Sequence, residues 1–200
     1  MKIRILITSI FVLIYFGLLA QKTKKVKDGT ETYYVLQSDE TIRHGEYKRA
    51  IYNFKVEGTY SNGAKIGDWI YSINNEIIHV YNWDTNKLVT GDNGPNRDGL
   101  TMPICLGGMS AFYSVVATIM MYPAAARQSG IEGKVYFEIT IDEKGKMKDP
   151  IIISGIGFGC DKETLRVLNK IELDWIPAQN SEGRPISSKM KMPMYFKLAR

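Results

Sequence analysis

Two hundred residues, 44% apolar and 24% charged, describe a folded chain of one domain or two small ones, not a disordered or collagen-like polymer. The net charge of +5 is mild, and two of its cations, Lys2 and Arg4, fall in the first segment. A nucleic-acid partner is not expected from so small a surplus, which serves to keep a surface soluble.

Residues 1–20 open with those two cations and continue as an apolar or small run from Ile5 to Ala20. A basic start before a long apolar run reads as an export signal, with Gln21 as the first mature residue. The run is also close to the ~17 residues a spanning helix needs, so retention of residues 5–20 as an inner-membrane anchor is the alternative. The expected location is the periplasm. Residues 22–30, KTKKVKDGT, are polar and expected to be loose.

From 31 to 89 the chain reads as a small all-β region of short aromatic strands. His44-Gly-Glu-Tyr47 and Ile66-Gly-Asp-Trp69 align with each other, and between them Asn62-Gly63 is a strong hairpin signal. Glycine at each strand start, with an aromatic two residues later, predicts a ladder of hairpins whose rings stack. The form SNGAKIGDWIY resembles MORN-like repeats. Such repeats imply a structural element or spacer; the aromatic residues from Tyr33 to Trp83 could instead offer a stacking face to a glycan or peptide.

Residues 90–102, rich in Gly, Asn and Asp, are the expected linker. A helix capped by Ser110 is expected over 110–120, then a short one from Ala124 to Gln128 ended by Gly130. Val135, Phe137, Ile139 and Ile141 alternate with polar residues as in a strand with one buried face. Asp142 to Gly145 supplies a turn, and Pro150 is expected to begin the next strand. Asp161 is expected to cap a helix whose apolar side is Leu165, Leu168 and Ile171. Met190, Met192, Met194 and Phe196 form one face of a last strand. The predicted class is α+β: a three-stranded antiparallel sheet with two or three helices over 103–200, preceded by the hairpin region.

Pro193 in the middle of that last strand places it at a sheet edge, because proline has no amide to give to a second neighbour. An edge strand accepts an extended segment from a partner. The outward residues Lys189, Lys191, Pro193, Tyr195 and Lys197 are the candidate contacts, their lysines suited either to an acidic partner or to blocking aggregation. A second copy of the chain could use the same edge.

Tyr122-Pro123, Gly130-Ile131-x-Gly133, the turn at Gly145, Asp161 to Arg166, Trp175-x-Pro177 and Met192-Pro-Met-x-Phe196 occur in an order that resembles the C-terminal domain of TonB-family energy transducers. The resemblance implies a non-catalytic periplasmic module that pairs its last strand with an outer-membrane TonB-dependent receptor in energy-dependent uptake. Inner-membrane motor proteins would be partners only if residues 5–20 stay as an anchor. The long proline-rich rod of such transducers has no counterpart, since the seven prolines are scattered.

Cys105 and Cys160 are the two cysteines of an expected exported chain, and either pair as a disulfide or stay as separate buried thiols. His44 and His79 belong to no metal-ligand array and are expected to be exposed. Gly155-Ile-Gly-Phe-Gly159 lacks the Gly-Lys-Ser/Thr ending of a phosphate loop and reads as a strand-to-helix connection. No acid pair or nucleophile array supports catalysis, and no cofactor is implied.

Overall fold

The computed structural model describes residues 21–91, 96–97 and 100–198. The expected export signal and part of the expected linker lie outside these residues.

Seven strands follow one another as an antiparallel meander: β1 (Thr23–Asp28), β2 (Glu31–Leu36), β3 (Arg43–Ile51), β4 (Phe54–Ser61), β5 (Ala64–Ile73), β6 (Glu76–Asn82) and β7 (Lys87–Thr90). The segment expected to be loose is thus β1, paired with β2 from Thr23↔Leu36 to Asp28↔Glu31. Its lysines suit an outer strand, where charge discourages further pairing. Asn62 and Gly63 turn β4 into β5 with φ of 47° and 83°, the two left-handed positions of a type I′ hairpin.

The aligned aromatics meet. Tyr47 stacks on Trp69 with centroids 5.2 Å apart, and Tyr60 stands edge-on to both, at 5.5 and 5.1 Å. Gly58 makes room for the stack, since a Cβ there would lie 2.2 Å from the Trp69 ring. Tyr47, Trp69, Tyr71 and Tyr81 are buried, so these rings are core rather than an open stacking face, whereas Tyr52 is exposed.

The rest of the chain runs through β8 (Asn96–Arg97), β9 (Leu100–Thr101), β10 (Ile104–Cys105), α1 (Gly108–Ile119), α2 (Ala124–Gln128), β11 (Gly133–Ile141) and β12 (Met147–Ser154). It continues with α3 (Cys160–Leu168), β13 (Trp175–Ile176), β14 (Ala178–Gln179), β15 (Pro185–Ile186) and β16 (Ser188–Phe196). A three-stranded antiparallel sheet has the order β12-β11-β16. On its inner face Val135, Phe137, Ile139 and Ile141 are fully buried with Met194, Phe196 and Phe112 of α1.

Three local expectations are corrected. Neither helix is capped by a side chain: left-handed glycines, Gly107 (φ 90°) and Gly159 (φ 88°), precede α1 and α3. Ser110 lies inside α1, and Asp161 instead accepts hydrogen bonds from the Ile156 and Gly157 amides of the preceding loop. Its carboxylate fills the glycine-rich turn that looks like a phosphate loop. In α3 the buried face is Cys160, Glu163, Thr164, Val167 and Leu168, with Leu165 only half-buried. Pro150 lies within β12 rather than at its start, which an outer strand tolerates.

The meander and the three-stranded sheet share one continuous core. Polar contacts fasten them: Arg49 donates to the Glu172 carbonyl at 2.9 Å, and the Asp174 carboxylate receives Lys65 at 2.5 Å and the Tyr71 hydroxyl at 2.9 Å. His79, expected to be exposed, is buried, and its Nδ1 accepts the Gly107 amide at 3.0 Å. His44 is half-buried, its Nδ1 accepting the Asn62 amide at 3.2 Å.

Candidate functional site

The last strand pairs with β11 in unbroken register from Gly133↔Phe196 to Ile141↔Ser188, Pro193 included. In an antiparallel ladder, residues alternate between bonding one neighbour and facing the other way. Pro193 has no N–H to give, so its position in an unbroken ladder is one whose backbone faces away from β11. By the same alternation the backbones of Lys189, Lys191 and Tyr195 face outward too. Among the described residues, β16 has no second strand partner.

The side chains of Lys189, Lys191 and Tyr195 are exposed, Pro193 is half-buried, and Lys197 lies one residue past the strand. The expected surplus of positive charge is reduced across the sheet. Glu138 of β11 receives Lys189 at 2.8 Å and Lys191 at 3.9 Å. The Lys189 hydrogen bond holds the Glu138 carboxyl below its usual range and pushes the Lys189 ammonium up. Lys134 stands over the Tyr195 ring, 5.3 Å from its centroid. The exposed face thus combines Tyr195, Tyr136, Ile151 and Ile153 with partly neutralised lysines.

One outward group is taken within the chain. The Tyr113 hydroxyl of α1 donates to the Pro193 carbonyl at 3.0 Å, and its ring lies edge-on to Tyr195 at 6.2 Å. Neither Tyr113 nor Glu138 was marked by spacing along the sequence. Their roles arise only when strands and helix are brought together.

The framework residues behind this edge each have a local reason. The Tyr122 hydroxyl donates to the Ile131 carbonyl, closing the segment that contains α2. Pro123 stands as N-cap of α2, and its carbonyl accepts the Arg127 amide. Gly130 ends α2 with φ 63°, and Gly133 opens β11 against Ile156, which a Cβ would approach to 3.2 Å. Gly145 is left-handed, and a Cβ there would sit 2.0 Å from the Trp175 carbonyl and 3.8 Å from Pro177. Trp175 is buried edge-on to Phe112. Arg166 forks onto the Glu163 carboxylate at 2.6 and 2.7 Å, and Glu163 also accepts the Met121 amide at 2.6 Å. That contact ties α3 to the segment between α1 and α2.

Cys105 and Cys160 are separate buried thiols in this structure. Burial pushes both thiols up. Among the described residues no cluster of His, Cys, Asp or Glu could hold a metal ion, and no helix is long and apolar enough to cross a membrane.

Residues 120–198 match the family model of the Gram-negative bacterial TonB protein C-terminal. The TonB C-terminal family is one of non-enzymatic protein-interaction domains of the Gram-negative envelope, with outer-membrane receptors among its partners. The match covers α2, α3 and β11 to β16, and leaves the meander outside. No curated protein matches the chain. A crystal structure of TarM is similar over 40% of this chain and 16% of its own, at 18% identity and a TM-score of 0.24.

Proposed function

We propose that this chain is a protein-docking module of the Gram-negative envelope that receives an extended partner segment along the outer edge of β16. The supporting observation is the position of β16: bonded to β11 on one side, with the backbones of Lys189, Lys191, Pro193 and Tyr195 turned outward. Main-chain pairing supplies affinity, while alternate side chains supply selectivity. Tyr195 offers an aromatic contact, and Lys189, Lys191 and Lys197 favour an acidic or polar segment. The partner this reading favours is the periplasmic side of an outer-membrane receptor, with uptake as the process served. The chain works from the periplasm, and a second copy is the competing occupant of the edge. The meander, with its MORN-like repeats, serves as a spacer and support for the module.

The test is capture from Gram-negative envelope extract by the full chain and by two variants. Lys191→Pro removes one outward amide without touching the β11 ladder, and Tyr195→Asp places a charge on the contact face. The proposal expects both to lose a protein held by the unaltered chain. Retention by both variants, each shown to be folded, would refute it.

A further inference from the structure

Between the meander and the residue 171–174 segment lies a cleft of about 340 Å³, inside the range of about 300–1,000 Å³ typical of small-molecule sites. Its floor is apolar and aromatic, with Phe54, Val56 and Trp69 buried beneath it. Four cations line it, Arg43, Arg49, Lys65 and Lys146, against the carboxylates of Glu31, Glu172 and Asp174. Glu31 already receives Arg43 at 3.1 Å and the Tyr47 hydroxyl at 2.9 Å, and Asp174 receives Lys65 and Tyr71.

Glu31 and Asp174 are thus partnered and Glu172 is exposed, whereas the cations keep N–H donors to spare. A guanidinium has five N–H donors and an ammonium three. Arg43 donates to Tyr60 and Glu31, and Arg49 to the Glu172 carbonyl. The Arg49 Nε is buried without a hydrogen-bond partner, with Glu31 Oε1 3.5 Å away. Lys65 donates to Asp174 and otherwise faces the Trp69 and Trp83 rings, 4.2 and 4.8 Å from their centroids. Charged donors with N–H groups to spare, lining a cleft, suit an acceptor with several oxygens.

We propose that this cleft binds a small oxyanion, a carboxylate or phosphate group held by Arg43, Arg49 and Lys65, with Lys146 at the rim. Burial holds the Lys65 ammonium below its usual pKa, a cost that a bound anion would offset. The site is independent of β16, and it bridges the meander to the three-stranded sheet, so the ligand would brace the two.

The experiment titrates the full chain with inorganic phosphate and, separately, with succinate, at constant ionic strength held with sodium chloride. Calorimetry gives the affinity, and tryptophan fluorescence reports on Trp69 and Trp83 beside Lys65. Saturable binding of at least one anion is expected, with a dissociation constant on the order of 1 mM or tighter. Phosphate alone would name a phosphoryl ligand, succinate alone a carboxylate. Arg49→Gln should weaken binding about tenfold or more, the loss of a charged hydrogen bond. Lys146→Glu, at an exposed rim position that leaves the fold intact, should also weaken it. The proposal is overturned if neither anion binds at about 10 mM, or if folded Lys146→Glu binds as tightly as the unaltered chain.

Discussion

The Tyr113 hydroxyl rests on the Pro193 carbonyl at 3.0 Å, so a helix of this chain occupies the one position of the last strand that cannot donate. A partner strand pairing there must displace that hydroxyl. Tyr113→Phe should therefore have opposite effects on two measurements. Stability in urea should fall by about 1 kcal/mol, the net worth of one hydrogen bond, while capture of the envelope partner should rise. Loss of capture in a folded Tyr113→Phe chain would show that the hydroxyl assists docking rather than competing with it.

Glu163 carries an acid-sensitive contact. Arg166 first, and then the Met121 amide, hold its carboxyl below the usual range despite burial. Asp142 is lowered in the same sense by Lys148 and by the Lys146 and Lys144 amides. A folded-state pKa below the unfolded one gives stability that is present above about pH 4 and lost as pH falls through the folded value. Thermal melts should accordingly fall steeply below about pH 4. Glu163→Leu should cost about 2–3 kcal/mol at neutral pH, on the scale of hydrogen bonds to charged groups, and should flatten part of that acid limb. An unchanged acid limb would remove Glu163 from the account.

Gly58 tests the aromatic stack. Its φ is not left-handed, so the objection to a side chain is purely one of space, because a Cβ at this position would stand 2.2 Å from the Trp69 ring. Trp69 is 1% exposed and cannot swing aside. Gly58→Ala should destabilise the chain by about 2 kcal/mol through overpacking, read from urea unfolding. A cost under about 0.5 kcal/mol would mean that the stack yields freely.

The two thiols give a simple chemical check. Buried Cys105 and Cys160, pushed up by desolvation, should resist a thiol reagent in the native chain and both react after unfolding in guanidinium without reductant. A chain whose thiols become titratable only after reduction would contradict the separate-thiol arrangement.

Much of the fold was legible because its rules are local. The alternation from Val135 to Ile141 and the methionines of β16 announced the inner face, and Asn62-Gly63 announced its hairpin. The departures have separate causes. The caps assigned to Ser110 and Asp161 missed that Gly107 and Gly159 enter the helices in left-handed conformation, which frees Asp161 for the preceding loop. β1 escaped notice because a lysine-rich outer strand has no buried alternation to display. His79 looked exposed because the group that covers it, the Gly107 amide, comes from a distant part of the chain. At the candidate edge, Pro193 disclosed the position of the strand, but the neutralising Glu138 and the covering Tyr113 depend on pairing and packing that no spacing encodes.

The central claim is that an extended partner segment pairs with the outward backbone of β16. Amide hydrogen exchange of the full chain, alone and with the protein it captures from envelope extract, tests this directly. The account predicts that the amides of Lys189, Lys191 and Tyr195 exchange readily in the free chain and become protected in the complex, while those of Met190, Met192 and Met194 are protected throughout. Protection that appears along β1, β7 or β12 instead, with those three amides unchanged, would contradict it.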